Sequence, residues 1–215
     1  MNLDGGIHEI PLPPLAQGRL WLCGKHAIGP DPEGLMERVA ADGVVCLTEQ
    51  HELADRYPDY VAWLRSQPPT RALWFPISDL HAPTLEQFAP VLTGLVDRVV
   101  TGDRLIVHCA AGIGRAGTVA VAVLVSLSVP LDEALDHVRR HRPAAGPEVG
   151  AQLELVRRLH EHLAVADAEA DECAIRSGFR HCTRTDRSGS TPDDPAGQLG
   201  DRKGGGDAYT CDHGA

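Results

Sequence analysis

Residues 104–118 read Arg104-Leu-Ile-Val-His108-Cys109-Ala-Ala-Gly112-Ile-Gly114-Arg115-Ala-Gly-Thr118. An apolar, strand-like run leads into Cys109, and a helix-like run leads out of Arg115. A loop that turns from a strand into a helix aims its backbone N–H groups inward, and with the helix N-terminus they form an anion site. Gly112 and Gly114 allow the tight curvature this needs. A cysteine at the base of such a site is stabilised as thiolate, the nucleophilic form. An arginine closing it offers a planar fork of donors to phosphate oxygens. The residues expected around a bound phosphate are Ala110, Ala111, Gly112, Ile113, Gly114 and Arg115.

Outward from this loop, strand and helix signals alternate. Residues 19–23 read as a strand. Asp31-Pro32 caps a helix over 33–42, and 44–47 follow as a buried strand. Residues 48–70 are mixed, with a short helix expected over 57–66. Residues 71–75 read as another strand. Thr84 with Gln87 makes a capping box for a helix to about residue 101, with a kink or later start expected at Pro90. Helices are expected over 115–129, 131–142 and 147–166. This alternation defines a single α/β domain, with a central, mainly parallel sheet of about four or five strands flanked by helices. The domain is expected over 19–166. Residues 1–18 are expected to be irregular. Residues 167–215 are polar, Gly-rich and poor in large apolar side chains, and are expected to be a disordered tail.

The stretch around Cys109 resembles the cysteine-based protein phosphatases, whose signature is His-Cys, five residues, Arg, and within them the small dual-specificity branch. His108, Cys109, Gly112, Gly114, Arg115, Gly117 and Thr118 all match, and the likeness covers about residues 19–164. The resemblance implies a phosphomonoester hydrolase working through a phosphocysteine. Cys109 would be the nucleophile, and Arg115 would hold the phosphoryl group. Asp79, in the loop 75–83, would be the general acid, with His81 the alternative. Gln152 would position the hydrolytic water; the other reading makes it a solvent-facing residue of an amphipathic helix. His108 would shape the loop. One departure stands out: Ala116 follows the arginine where many members have Ser or Thr. That hydroxyl normally assists departure of the thiolate, so slow hydrolysis of the phosphoenzyme is expected.

The resemblance implies phosphorylated proteins or small phosphomonoesters as substrates, and no cofactor. Three alternatives stay open. One is a small-molecule or phosphoinositide phosphatase on the same chemistry, disfavoured by the absence of lysine between Cys109 and Arg115. Another is a phosphate-binding pseudophosphatase with little turnover, which Ala116 favours. The third is sulfur transfer through a persulfide.

The chain has 215 residues and a net charge of −10, which disfavours nucleic acid or an anionic membrane as partner. No signal segment opens it, and its longest apolar run is too short to span a bilayer. Six cysteines show no disulfide-framework spacing, so a reducing, cytoplasmic location is expected. Eleven histidines include no metal-binding motif, and an assembly of Cys173, His181, Cys182, Cys211 and His213 is too irregular to count as a metal site. Oligomeric state is left open.

Overall fold

The central strand of the sheet is the one that ends at the cysteine. In the computed structural model, which describes residues 6–178, five strands form one sheet. They are β1 (His8–Ile10), β2 (Arg19–Gly24), β3 (Gly43–Cys46), β4 (Ala72–Trp74) and β5 (Arg104–Cys109), in the order β1-β2-β5-β3-β4. β5 runs parallel to β2 and β3, and β3 parallel to β4; only β1 is antiparallel. In register, Gly24 lies opposite Cys109, and Cys23 and Cys46 flank His108. The C-terminal edge of a parallel sheet is where such folds bind ligands. β1 corrects the expectation that residues 1–18 are irregular: the short strand borrows the free edge of β2.

Period-two alternation sends successive side chains of each central strand to opposite faces. Leu20, Leu22, Val45, Leu105 and Val107 pack into one apolar core, and Trp21, Cys23, Val44, Cys46 and Ile106 into another. The first face is covered by α5 (Leu85–Thr101), α6 (Gly114–Ser126), α7 (Leu131–His141) and α8 (Gly150–Gly178). The second is covered by α1 (Lys25–Ile28), α2 (Pro32–Val39), α3 (Gln50–Ala54) and α4 (Pro58–Ser66). Every residue of α6 from Gly114 to Val125 is buried, as the apolar run that begins at Val119 requires, and the burial extends to Arg115 and Thr118 near its start.

Three of the differences from expectation have a clear physical reason. α5 begins at Leu85 and runs through Pro90, because the Thr84–Gln87 capping box fixes its start ahead of the proline. The mixed stretch 48–70 contains a second helix, α3, opened by a capping box between Glu49 and Glu52. α8 continues past residue 166 to Gly178; the Ala- and Glu-rich run 164–174 has high helix propensity without needing a core. The rest of the expected tail lies outside the described residues. Tertiary contacts gather Met1–Cys173 into one unit, which carries the five described strands.

Candidate active site

The loop from Cys109 to Gly114 is braced from outside by a buried arginine. Arg142, at the end of α7, donates Nη2 to the carbonyl of Ala111 at 2.8 Å and Nε to that of Gly112 at 2.5 Å. It also reaches the carbonyls of Gly6 and Leu22. Lys25 N donates to the carbonyl of Ala110 at 3.0 Å. With these carbonyls drawn outward, the peptide N–H groups of the loop are left for the concave side. Gly112 has φ of 72°, and a Cβ there would lie 2.3 Å from the Cys23 main chain, so only glycine fits. Arg142 serves the loop geometry through peptide carbonyls, and burial lowers its pKa from the usual guanidinium value.

Cys109 is 3% exposed at the loop's base. The neighbouring strands carry Cys23 and Cys46, whose thiols burial pushes up to about 12. Those two stay neutral at physiological pH. His108 is fully buried, and burial drives its pKa down to about 4. Its Nε2 shares a 2.7 Å hydrogen bond with the Tyr60 hydroxyl. The imidazole is therefore neutral at physiological pH and tied to Tyr60.

Arg115 is held by a partner the sequence reading missed. Its Nη1 and Nη2 donate to Glu52 Oε1 and Oε2 at 2.6 and 2.8 Å, a bidentate pair, and Nη1 also donates to the carbonyl of Ile77 at 2.7 Å. The side chains are 2% and 11% exposed. Burial works against both charges, yet hydrogen bonding between them wins: the Glu52 pKa falls below the usual carboxylate value and that of Arg115 rises. Lys25 Nζ donates to the Glu52 carbonyl at 2.7 Å and ties the same helix to the loop. Among the described residues nothing engages Arg115 Nε, which leaves that donor for a ligand.

Asp79 comes to the same guanidinium. Its Oδ1 is 3.2 Å from Arg115 Nη2, with the carboxylate 67% exposed. Chain segments 36 residues apart thus meet at one point. His81, the alternative acid, is exposed and turns Nδ1 to the carbonyl of Asp79 at 2.7 Å, so the Asp79 carboxylate, not the imidazole, faces Arg115. A groove of about 570 Å³ runs beside the Asp79 loop, lined by Phe75, Pro76, Ile77, Ser78 and Pro83 among others.

Gln152 is buried, 1% exposed, and does not face solvent. Its Oε1 accepts from Glu148 N at 2.9 Å, and its Nε2 donates to the carbonyl of His81 at 3.2 Å. Ala116 is fully buried in the first turn of α6. Thr118 does not supply the missing hydroxyl, since its Oγ1 donates back to the carbonyl of Gly114 at 2.7 Å. Among the described residues no cluster of His, Cys, Asp or Glu has the arrangement of a metal site.

The family of domains that share this arrangement is that of the cysteine-dependent dual-specificity phosphatases. The family model described as "Swiss Army Knife protein, DSP-PTPase phosphatase domain" matches residues 25–164, and the chain belongs to that family. Among solved structures, Tk-PTP in its active form is 34% identical, with a TM-score of 0.56, over 69% of this chain and 97% of that one. Kinase associated phosphatase shares the fold at 18% identity, with a TM-score of 0.62, over 76% of this chain and 98% of that one. Dual specificity protein phosphatase 1-B of Xenopus laevis is 29% identical over 118 residues, 54% of this chain and 30% of that protein. The chain thus spans less than a third of the length of the curated relatives it matches.

Proposed function

We propose that this chain hydrolyses phosphomonoesters through a phosphocysteine, with phosphotyrosine, phosphoserine and phosphothreonine proteins as its main substrates. The observation that carries the reading is the meeting of Arg115 and Asp79 at 3.2 Å beside the loop that begins at Cys109. The phosphate oxygens take the loop N–H groups and Arg115 Nε. The Cys109 thiolate attacks phosphorus as the ester P–O bond breaks, and Asp79 gives its proton to the departing oxygen. The Asp79 carboxylate then takes a proton from water, which attacks phosphorus. The S–P bond breaks, releasing inorganic phosphate and restoring the thiolate. The open groove beside the Asp79 loop admits a peptide side chain without a deep slot. Ala116 leaves the thiolate without a hydroxyl donor, so breakdown of the phosphocysteine is the slower step.

The thiolate nucleophile requires a reducing compartment, which favours the cytoplasm. Cys23, Cys46 and Cys109 are free thiols, and no described helix is long and apolar enough to cross a membrane. The test is hydrolysis of para-nitrophenyl phosphate across pH under reducing conditions, with Cys109→Ser and Asp79→Asn alongside. Turnover that vanishes in Cys109→Ser and falls in Asp79→Asn supports the reading. No wild-type turnover, with phosphopeptide binding intact, replaces it with a phosphate-binding module.

A further inference from the structure

The Asp79 loop hangs between two anchors. On one side, Ile77 donates its N–H to the carbonyl of Leu47 at 3.0 Å and offers its own carbonyl to Arg115. On the other, the carbonyl of His81 accepts from Gln152 Nε2. Between the anchors Ser78, Asp79 and Leu80 are all exposed. Leu80 has φ of 58°, in the left-handed region unfavourable for a γ-branched side chain, so the turn is held from outside its own preferences. Apart from the Asp79 carboxylate's contact with Arg115, the remaining bonds of the turn, from His81 N to the Ser78 carbonyl and from the His81 ring to the Asp79 carbonyl, are internal to it.

The orientation of the Gln152 carboxamide follows from its partners. Oε1 receives the backbone N–H of Glu148, a contact only an oxygen can make, so the amino group is the end that faces His81. Burial holds the side chain in place. Glu148 lies just ahead of α8, so the carboxamide links the acid loop to the entry of that helix.

We propose that Gln152 is a positioning residue for the general acid, holding the His81 carbonyl so that Asp79 stands over the leaving oxygen. This differs from the role the resemblance implies, direction of the hydrolytic water, and it rests on the phosphatase reading above. The two roles act on different quantities. kcat/KM reports steps up to formation of the phosphocysteine, where the proton of Asp79 is needed most by esters with basic leaving groups. Direction of water acts only on breakdown, which kcat/KM does not see.

The experiment measures kcat/KM and kcat for a series of aryl and alkyl phosphates of rising leaving-group pKa. The enzymes are wild type, Gln152→Ala and Gln152→Met, which keeps the bulk without the donor. The expected result is a loss in kcat/KM that grows along the series. It is within twofold for a dinitrophenyl ester and about tenfold or more for alkyl esters. The alkaline limb of the pH profile flattens, and inhibition by inorganic phosphate is unchanged. In an Asp79→Asn background, Gln152→Met has no further effect on kcat/KM. The proposal is overturned if kcat/KM is unchanged across the series while kcat falls uniformly, the signature of a water-directing residue. It is also overturned by an equal loss on every ester with weaker phosphate inhibition in both variants, which is general damage to the site. Wild-type inactivity on the whole series would overturn the phosphatase reading itself, and the role of Gln152 with it.

Discussion

Arg115 and Asp79 lie 3.2 Å apart, but their side chains are 2% and 67% exposed. The arginine sits in the buried first turn of α6, with a bidentate carboxylate and a carbonyl fixing its fork. The loop before it is pinned by Arg142 through two carbonyls. Asp79 has none of this: it rides on an exposed turn tied down at Ile77 and His81. The contrast fits the chemistry proposed above. Phosphate binding requires donors already aimed where charge gathers, because reorganising them during the reaction would raise the barrier. The acid must instead meet leaving groups of different size and let product out, which a buried carboxylate could not do.

The largest effect that tests the buried half is Arg115→Lys. An ammonium cannot hold both oxygens of Glu52 and still present a planar donor to phosphate. Single-turnover phosphorylation of the enzyme should slow by about three orders of magnitude. A loss below tenfold would show that the fixed fork matters little and the contrast with Asp79 is empty.

On the exposed half, Asp79→Asn should lower kcat/KM for alkyl and phenyl phosphates by about a hundredfold. It should also leave inorganic phosphate binding at least as tightly as before, measured as competitive inhibition. The reason is that Asp79 competes with phosphate for the Arg115 fork. Weaker phosphate binding would mean the carboxylate helps build the anion site, merging the two halves.

How much of this was legible in the sequence follows the same division. The strand, loop and helix around Cys109 are contiguous, so their turn chemistry and periodicity could be read directly. The alternation of elements on either side carried the parallel sheet. The braces were not legible, because each is a contact across the fold: Glu52 to Arg115 spans 63 residues, Tyr60 to His108 spans 48, and Arg142 to Ala111 spans 31. A helix at Glu52 was within reach, since Glu49 and Glu52 form a capping box. Where its carboxylate points depends on how α3 packs against the sheet, and no local pattern encodes that.

A smaller effect sharpens the comparison inside the buried half. Ala116→Ser places a hydroxyl directly after Arg115, where the proposed mechanism lacks one. It should raise steady-state kcat severalfold and shrink the burst of leaving group seen with an activated aryl ester, with kcat/KM unchanged. No burst in the wild type, and no gain in the variant, would show that breakdown is not limiting.

The smallest effect on activity at neutral pH, and a clear one on stability, belongs to His108. Its folded pKa is about 4, against an ordinary value of 6.5, because burial opposes the charged ring. Between those values the unfolded chain binds a proton that the folded chain does not, so acidification favours unfolding. The contribution is absent above the ordinary value, grows as pH falls through the window, and is complete near the folded value. It amounts to about 3 kcal/mol. Glu52 adds its own loss at lower pH. Its folded pKa lies below the usual 4.5, so the stability it contributes persists above that value and disappears only as pH falls through the depressed one. Urea unfolding at a series of pH values from 7 down to 4.5 therefore separates the histidines from Glu52, since burial also lowers the pKa of His137, and a variant at His108 picks out its share. His108→Gln should flatten the slope of unfolding free energy in that interval, whatever its absolute stability. A variant that kept the wild-type slope would place the titrating group elsewhere and remove His108 from the buried frame that supports Cys109.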